Sequence, residues 1–403
     1  MRGRRWLILA VLFAARAATG FQFQAIGSST NMLMRDLGLD YSQLGMLIGA
    51  YLLPGVIVAF PAGLLGERFR EKTLGIVGLA LMLVSGIALA DASGFATALV
   101  ARTLGGIGAT IVVLVVTKMT TDWFEGREIV LAMSLVQVSW PCGAMLALPV
   151  QAFIALDWGW PAVMLSGGLC AGAALCAFAL VAQSAAGQKP AAAAREKLPA
   201  TILLPVIVAG TAWGAMNLAC ILFFSYAPLL MTARGVAPTA AASLTSVAIW
   251  LTIVAIPSGG YLVHRLGKPI TAIVVCAPVG ACALIQFVAD VGPTTSCLLF
   301  GIAVGPLSGA ILSLPANILA PRHRSFGFGV FYTCFYVLMA VGPLIAGRLQ
   351  DAWASPAAAL IAGAALLVAV APLSLAFAAL THPWRLTERH GISELHVAAP
   401  DGA

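Results

Sequence analysis

The chain has 403 residues, of which 61% are hydrophobic and 9% charged, whereas a soluble domain carries about 25% charged residues. That balance excludes a water-soluble globular protein and makes lipid the solvent for most side chains. A formal net charge of +7 would otherwise invite nucleic-acid binding, but its distribution along the chain marks membrane topology instead.

Backbone polar groups in lipid must pair internally, which leaves helices or a closed barrel. The apolar runs are near-continuous and about 20 residues long, as a bilayer-spanning helix requires. Barrel strands would alternate over roughly 10 residues. Twelve helical spans are predicted, at 6–27, 41–64, 73–91, 95–117, 128–150, 160–183, 200–230, 239–262, 270–289, 294–317, 326–348 and 356–380. The expected fold class is an all-α membrane protein of twelve transmembrane helices.

The first span follows Arg2, Arg4 and Arg5 and contains Ala14-Ala15-Arg16-Ala17, which imitates the cleavage region of a secretory signal. The duplication described below needs this segment as a helix, so it is read as a retained span. Arg16 lies about ten residues in, near mid-membrane at about 1.5 Å per residue. A charge at that depth is costly and faces the bundle interior or an aqueous cavity. Helical spacing places Thr19, Gly20, Phe23 and Gly27 on its face, with Gln24 beside it. A substrate-anion site is one reading; a structural arginine bound to neighbouring carbonyls and a part in proton coupling are the others.

After the second span, residues 63–72 read GLLGERFREK, and residues 260–269 read GYLVHRLGKP. Gly63 pairs with Gly260, Leu65 with Leu262 and Arg68 with Arg265, all 197 positions apart. Gly38 with Gly235 and Arg127 with Arg324 share that offset. Several pairs in one register mean an internal duplication, a common transporter architecture. Two pseudo-symmetric six-helix bundles are expected at 1–183 and 200–380, joined by the Ala-rich, basic linker 184–199 and followed by a tail at 381–403.

Seventeen of the 22 lysines and arginines fall on the side of the termini and linker, against Arg35, Arg234 and Arg348 on the other. This bias places both termini in the cytoplasm, with the chain in the inner membrane. No Asp or Glu falls in the interior of a predicted span, Asp91 and Glu128 standing at span ends, so a cationic solute would find no counter-charge there. The eight cysteines all lie in spans without a C-x-x-C pair. No metal site, disulfide framework or cofactor is therefore expected.

The 63–72 loop resembles the major facilitator superfamily pattern G-x-L-x-[acid]-R-x-G-[basic]-[basic]. A second signature of that family, R-x-x-x-G-x-G, matches Arg102, Gly106 and Gly108 on the fourth span. The compact length and short loops are similar to bacterial anion-type members such as cyanate and nitroimidazole transporter relatives. Arg70 stands where the first copy expects Gly, and His264 where the second would carry an acid. Ser139-Trp140-Pro141-Cys142-Gly143 departs from the fifth-helix signature of drug/proton antiporters.

The resemblance implies the major facilitator fold and a gating role for the loop. Glu67 would face the start of the eleventh span, where the helix dipole favours an anion. Arg68 or Arg70 would pair with Asp122. Solvated loop charges worth about 0–1 kcal/mol per bridge are the plainer alternative. Arg102 would serve proton movement or pack onto the first span. Spans one, four, seven and ten would line the path. There Trp213 aligns with Arg16, and Asn217 with Gly20; Gln137 with Trp140, and Tyr332 with Tyr336, are further candidates.

These residues point to a secondary transporter that moves a small organic or inorganic anion by alternating access. Arg16 matches the planar geometry of a carboxylate or similar oxyanion. The alternative is an exporter of a hydrophobic or drug-like compound. A proton travelling with the substrate, uniport and anion exchange are all compatible with the sequence. No enzyme constellation such as H-E-x-x-H or G-x-S-x-G occurs. The expected partners are the solute and the lipid bilayer, with no nucleic acid, and one chain suffices for one pathway.

Overall fold

The computed structural model describes residues 2–59, 71–124, 129–183, 199–319 and 323–397. Thirteen helices are seen among them: α1 (Arg2–Phe23), α2 (Ala25–Leu37), α3 (Tyr41–Ala50), α4 (Leu53–Ala59), α5 (Glu71–Ala90), α6 (Phe95–Trp123), α7 (Ile129–Val181), α8 (Ala200–Ala233), α9 (Pro238–Leu266), α10 (Pro269–Val288), α11 (Pro293–Ala316), α12 (Arg324–Trp353) and α13 (Ala357–Val397). No strand occurs among the described residues. Among the described residues, ten helical stretches are long and apolar enough to cross a membrane, and one of them, Leu135–Val181, is long enough to cross twice.

Four predicted spans differ from the helices observed in more than their end residues. The first runs well past residue 27, to Leu37, through a break at Gln24 and a non-helical Ser29. The polar run that ended the prediction is satisfied inside its own helix. Ser28 Oγ donates to Gln24 O (3.0 Å), Ser29 Oγ to Ala25 O (2.7 Å) and Thr30 Oγ1 to Ile26 O (2.8 Å). Such back-bonding lets the helix continue but bends it.

The second span breaks between α3 and α4. Pro54 has no N–H to offer Ala50, and the chain tightens there through Leu52 N to Gly49 O and Gly55 N to Leu52 O. The fifth and sixth spans join in α7, which turns at Gly159 with φ 75° and ψ 178°. That backbone region is essentially open to glycine alone.

The duplication offset reappears in the helix boundaries. Gly38 (φ 64°) and Gly235 (φ 87°) follow the first helical stretch of each half, and α3 and α9 start 197 residues apart at Tyr41 and Pro238. Positive φ at those two ends is the usual glycine stop.

α1 packs on α7, α5 on α6 and α7, α8 on α12 and α13, and α11 on α9 and α10. Small residues let backbones meet, as membrane helices require. A Cβ at Gly20 would strike the Trp140 carbonyl, and one at Gly143 the Ala17 carbonyl. The outer surface carries exposed apolar side chains such as Leu180, Val100, Val254 and Ile57.

Contacts between the halves involve α3 and α4 with α12, α7 with α9, and α2 with α8. They are tight at the end of the bundle that carries Asp351. There Gly45 meets the Pro343 carbonyl, Gly49 the Ala340 carbonyl, and Gly347 the Tyr41 carbonyl. The halves are closed together at that end.

Candidate functional site

Arg16 projects from α1 where the two halves face one another. Its Nε is buried and has no hydrogen-bond partner. Tyr332 and Tyr336, both on α12 of the second half, lie within Coulombic range of its side chain. An arginine from one half and two tyrosines from the other therefore share one electrostatic neighbourhood.

α12 presents five aromatic residues at helical spacing: Phe328, Phe331, Tyr332, Phe335 and Tyr336. Their rings contact in series. Phe331 and Tyr332 are 5.3 Å apart between centroids, and Phe335 and Tyr336 are 4.9 Å apart. Trp213 on α8 lies against this row, 6.2 Å from Phe331 and 6.4 Å from Phe335. Gly210 and Gly214 bring the α8 backbone close to α12. On the row's other side, the Tyr336 ring covers Gly55 of α4. The Trp213 indole N–H is buried with no partner. Asn217 is engaged locally, its Nδ2 donating to Trp213 O at 2.8 Å.

The rest of the α1 stripe divides. Thr19 Oγ1 donates to the Arg16 carbonyl (2.7 Å), and Gly20 serves the contact with α7. Phe23 is buried between Tyr51 and Trp140, each 5.7 Å away between centroids. Gln24 is different: it is buried, and both amide atoms lack a partner. Among the described residues, then, Arg16, Gln24 and Trp213 are the site candidates that hold buried unpaired polar atoms.

Arg102 is fully engaged in packing. Its Nε donates to Leu47 O (3.2 Å), Nη1 to Gln22 O (3.0 Å) and Nη2 to Phe23 O (2.6 Å). The guanidinium also lies over the Tyr51 ring, 4.4 Å from its centroid, and near the Phe23 ring at 5.5 Å. Two of these carbonyls flank the α1–α2 break, where the helical ladder is interrupted, so Arg102 braces the bend. Gly106 lets α6 approach the Tyr51 backbone, and Gly108 faces Gly78 of α5.

The gating residues Gly63, Leu65, Glu67, Arg68 and Arg70 lie outside the described residues. Asp122 is half-buried near the end of α6. Gly260 lies against Gly309 of α11, and Arg265 is exposed near the end of α9. Gln137 is exposed on α7, while Trp140 packs on Phe23. Among the described residues, no group of three or more His, Cys, Asp or Glu is placed to hold a metal ion.

Sequence reasoning missed several groups. Gln22 and Tyr51 are joined in a buried network, Gln22 Nε2 donating to Met82 O and the Tyr51 hydroxyl to Thr19 O and Gln22 Oε1; separately, Gln151 Nε2 donates to Phe21 O and its Oε1 accepts from Ser28 Oγ. Phe328, Phe331 and Phe335 were legible from the same helical spacing that relates Tyr332 to Tyr336.

The model of the Major Facilitator Superfamily matches residues 12–343. The chain is 25% identical over 366 residues to the 3-(3-hydroxy-phenyl)propionate transporter of Escherichia coli (strain K12), covering 86% of this chain and 87% of that one. It is 24% identical over 271 residues to the hexuronate transporter of Bacillus subtilis (strain 168), and that match spans 63% of each chain, less than two thirds of the relative's length. Among solved structures, a bacterial homolog of the human lysosomal transporter Spinster, in an inward-facing and occupied conformation, superposes with a TM-score of 0.71 at 16% identity. The superposition covers 96% of this chain and 97% of that one, and at this identity it speaks for the fold alone. The chain belongs to the Major Facilitator Superfamily and is a transporter rather than an enzyme.

Proposed function

We propose that this superfamily member is a secondary transporter that carries a small organic anion across the inner membrane. In this reading its termini are cytoplasmic, its two six-helix halves move against one another, and one chain forms the pathway. The observation that carries it is Arg16: a cation at the meeting of the halves, its Nε buried and unpaired, beside Tyr332 and Tyr336. Asp and Glu stand at the ends of the predicted spans or between them, none at the mid-span depth of Arg16. A buried charge without a partner is costly, and an entering carboxylate would remove that cost while accepting hydrogen bonds from guanidinium in its preferred planar geometry.

The two curated relatives support an organic anion, since each is named for an organic acid. Closure at the Asp351 end is one of the two states alternating access requires. Glu67 against the start of α12 would shut the opposite end in the other. A proton travelling with the acid, or an exchanged anion, would complete the cycle. A neutral drug, by contrast, would leave Arg16 without a counter-charge when bound.

The test is counterflow in proteoliposomes with a panel of labelled carboxylates and inorganic oxyanions, for the native chain and Arg16→Gln at equal protein amounts. Saturable exchange of a carboxylate, lost in Arg16→Gln, is the expected result. Exchange indifferent to Arg16, or exchange of neutral apolar compounds alone, would contradict the proposal.

A further inference from the structure

Beside Arg16 stands a surface that a small inorganic ion could not use. Phe328, Phe331, Tyr332, Phe335 and Tyr336 share one face of α12, and Trp213 closes it from α8. Most of these rings pack edge to face. The Phe335–Tyr336 pair is inclined at 71° and the Tyr332–Phe335 pair at 90°. Such pairs turn ring faces and edges alternately outward, which is the arrangement a further ring can join.

The polar groups beside this wall are few. Arg16 Nε and the Trp213 N–H are buried and unpaired, whereas Thr19 and Asn217 are committed to their own helices. A sugar acid would bring several hydroxyls, each losing water and needing a partner here. The polar groups available are Arg16, the Trp213 N–H, the Gln24 amide and the Tyr332 and Tyr336 hydroxyls, and the carbon faces of the aromatic row leave the hydroxyls around a sugar ring unmet. Selection against a ligand with unmatched polar groups is far steeper than selection over one methylene.

We propose that the solute is an aryl carboxylate, its carboxylate held by Arg16 with the Tyr332 and Tyr336 hydroxyls as further donors, and its ring laid against Phe335 and Trp213. This rests on the organic-anion reading above and narrows it to a substrate class. The Trp213 N–H is then the donor for one acceptor on the ring, such as a phenolic oxygen. The aromatic wall is apolar and non-directional apart from ring stacking, so it recognises planarity; the cation recognises charge.

The test uses purified full-length protein in proteoliposomes and three labelled probes: 3-phenylpropanoate, its saturated analogue 3-cyclohexylpropanoate, and glucuronate. Counterflow needs neither the coupling ion nor the physiological direction. The expected result is a kcat/KM for 3-phenylpropanoate at least tenfold above either other probe. Phe335→Leu and Trp213→Leu should each lower the phenyl-to-cyclohexyl ratio about fivefold or more, while Phe335→Tyr, which keeps the ring, preserves it. That rescue separates ring recognition from mere loss of folding. Equal handling of the phenyl and cyclohexyl acids, or preference for glucuronate, would overturn the aryl assignment while leaving the anion reading intact, provided Arg16→Gln abolishes exchange. Exchange of none of the three, or exchange unaffected by Arg16→Gln, would overturn both.

Discussion

The carboxylate of Asp351, at the end of α12, accepts hydrogen bonds from both the backbone N–H (2.9 Å) and the hydroxyl of Ser42, at the start of α3. It also accepts from the N–H of Tyr41 at 2.9 Å. An acid in one half thus caps a helix N-terminus in the other, where free N–H groups and the helix dipole favour negative charge. By the resemblance of its loop, Glu67, outside the described residues, is expected to do the same for the start of α12. One antiparallel pair would then carry an acid latch at each end.

Removing this cap should open the Asp351 end. Hydrogen bonds to a charged group contribute about 1.5–3 kcal/mol each, and a change of about 1.4 kcal/mol shifts a two-state population tenfold. Asp351→Ala should therefore add a longer-distance population between spin labels at Arg35→Cys and Trp353→Cys, in a background without the native cysteines. An unchanged distance distribution would show that the cap does not hold the halves.

The glycines beneath the latch should act in the same direction by bulk. A methyl group at Gly45 or Gly49 would overlap a carbonyl of α12. Overpacking of this kind costs about 1–3 kcal/mol. Gly49→Val should separate the same label pair, whereas a conservative change on the lipid face, Ile57→Leu, should not move it.

Arg102 should prove structural. Arg102→Lys keeps a charge but cannot reach three carbonyls on two helices at once. Losing one side of a buried charged network costs about 3–5 kcal/mol. Both Arg102→Lys and Arg102→Gln should lower the thermal unfolding midpoint in detergent. Folded protein that remains should show little change in substrate KM. A large KM rise without loss of stability would instead place Arg102 in the transport pathway.

Gly159→Ala should destabilise without touching the site. Its φ of 75° with ψ of 178° is a region costing a side-chain-bearing residue about 1–3 kcal/mol. The readout is the unfolding midpoint, with substrate affinity of the folded fraction unchanged.

The helical class was legible because apolar run length reports directly on bilayer thickness, and the duplication because glycine and arginine recur at a fixed offset. The extension of the first span to Leu37 was not. Counting apolar residues treats Ser28, Ser29 and Thr30 as a stop, and their back-bonding to their own helix is invisible to that count. Arg16 stood out because charge at mid-membrane is rare. The partnership of Asp351 with Ser42 was hidden for the opposite reason: its main acceptor contacts are backbone N–H groups, which nearly every residue has. Tyr332 and Tyr336 were singled out by their spacing of four, while Phe328, Phe331 and Phe335 on the same helix were passed over. Only the placement of α12 between α8 and α4 turns that row inward.

The most direct test of the central claim is equilibrium binding of a labelled carboxylate to purified protein carrying Arg16, Arg16→Lys or Arg16→Gln, with thermal unfolding measured in parallel. Anion recognition by Arg16 predicts that the glutamine variant binds at least 100-fold more weakly, that lysine restores only part of the affinity, and that both fold normally. Equal affinity in all three would contradict it.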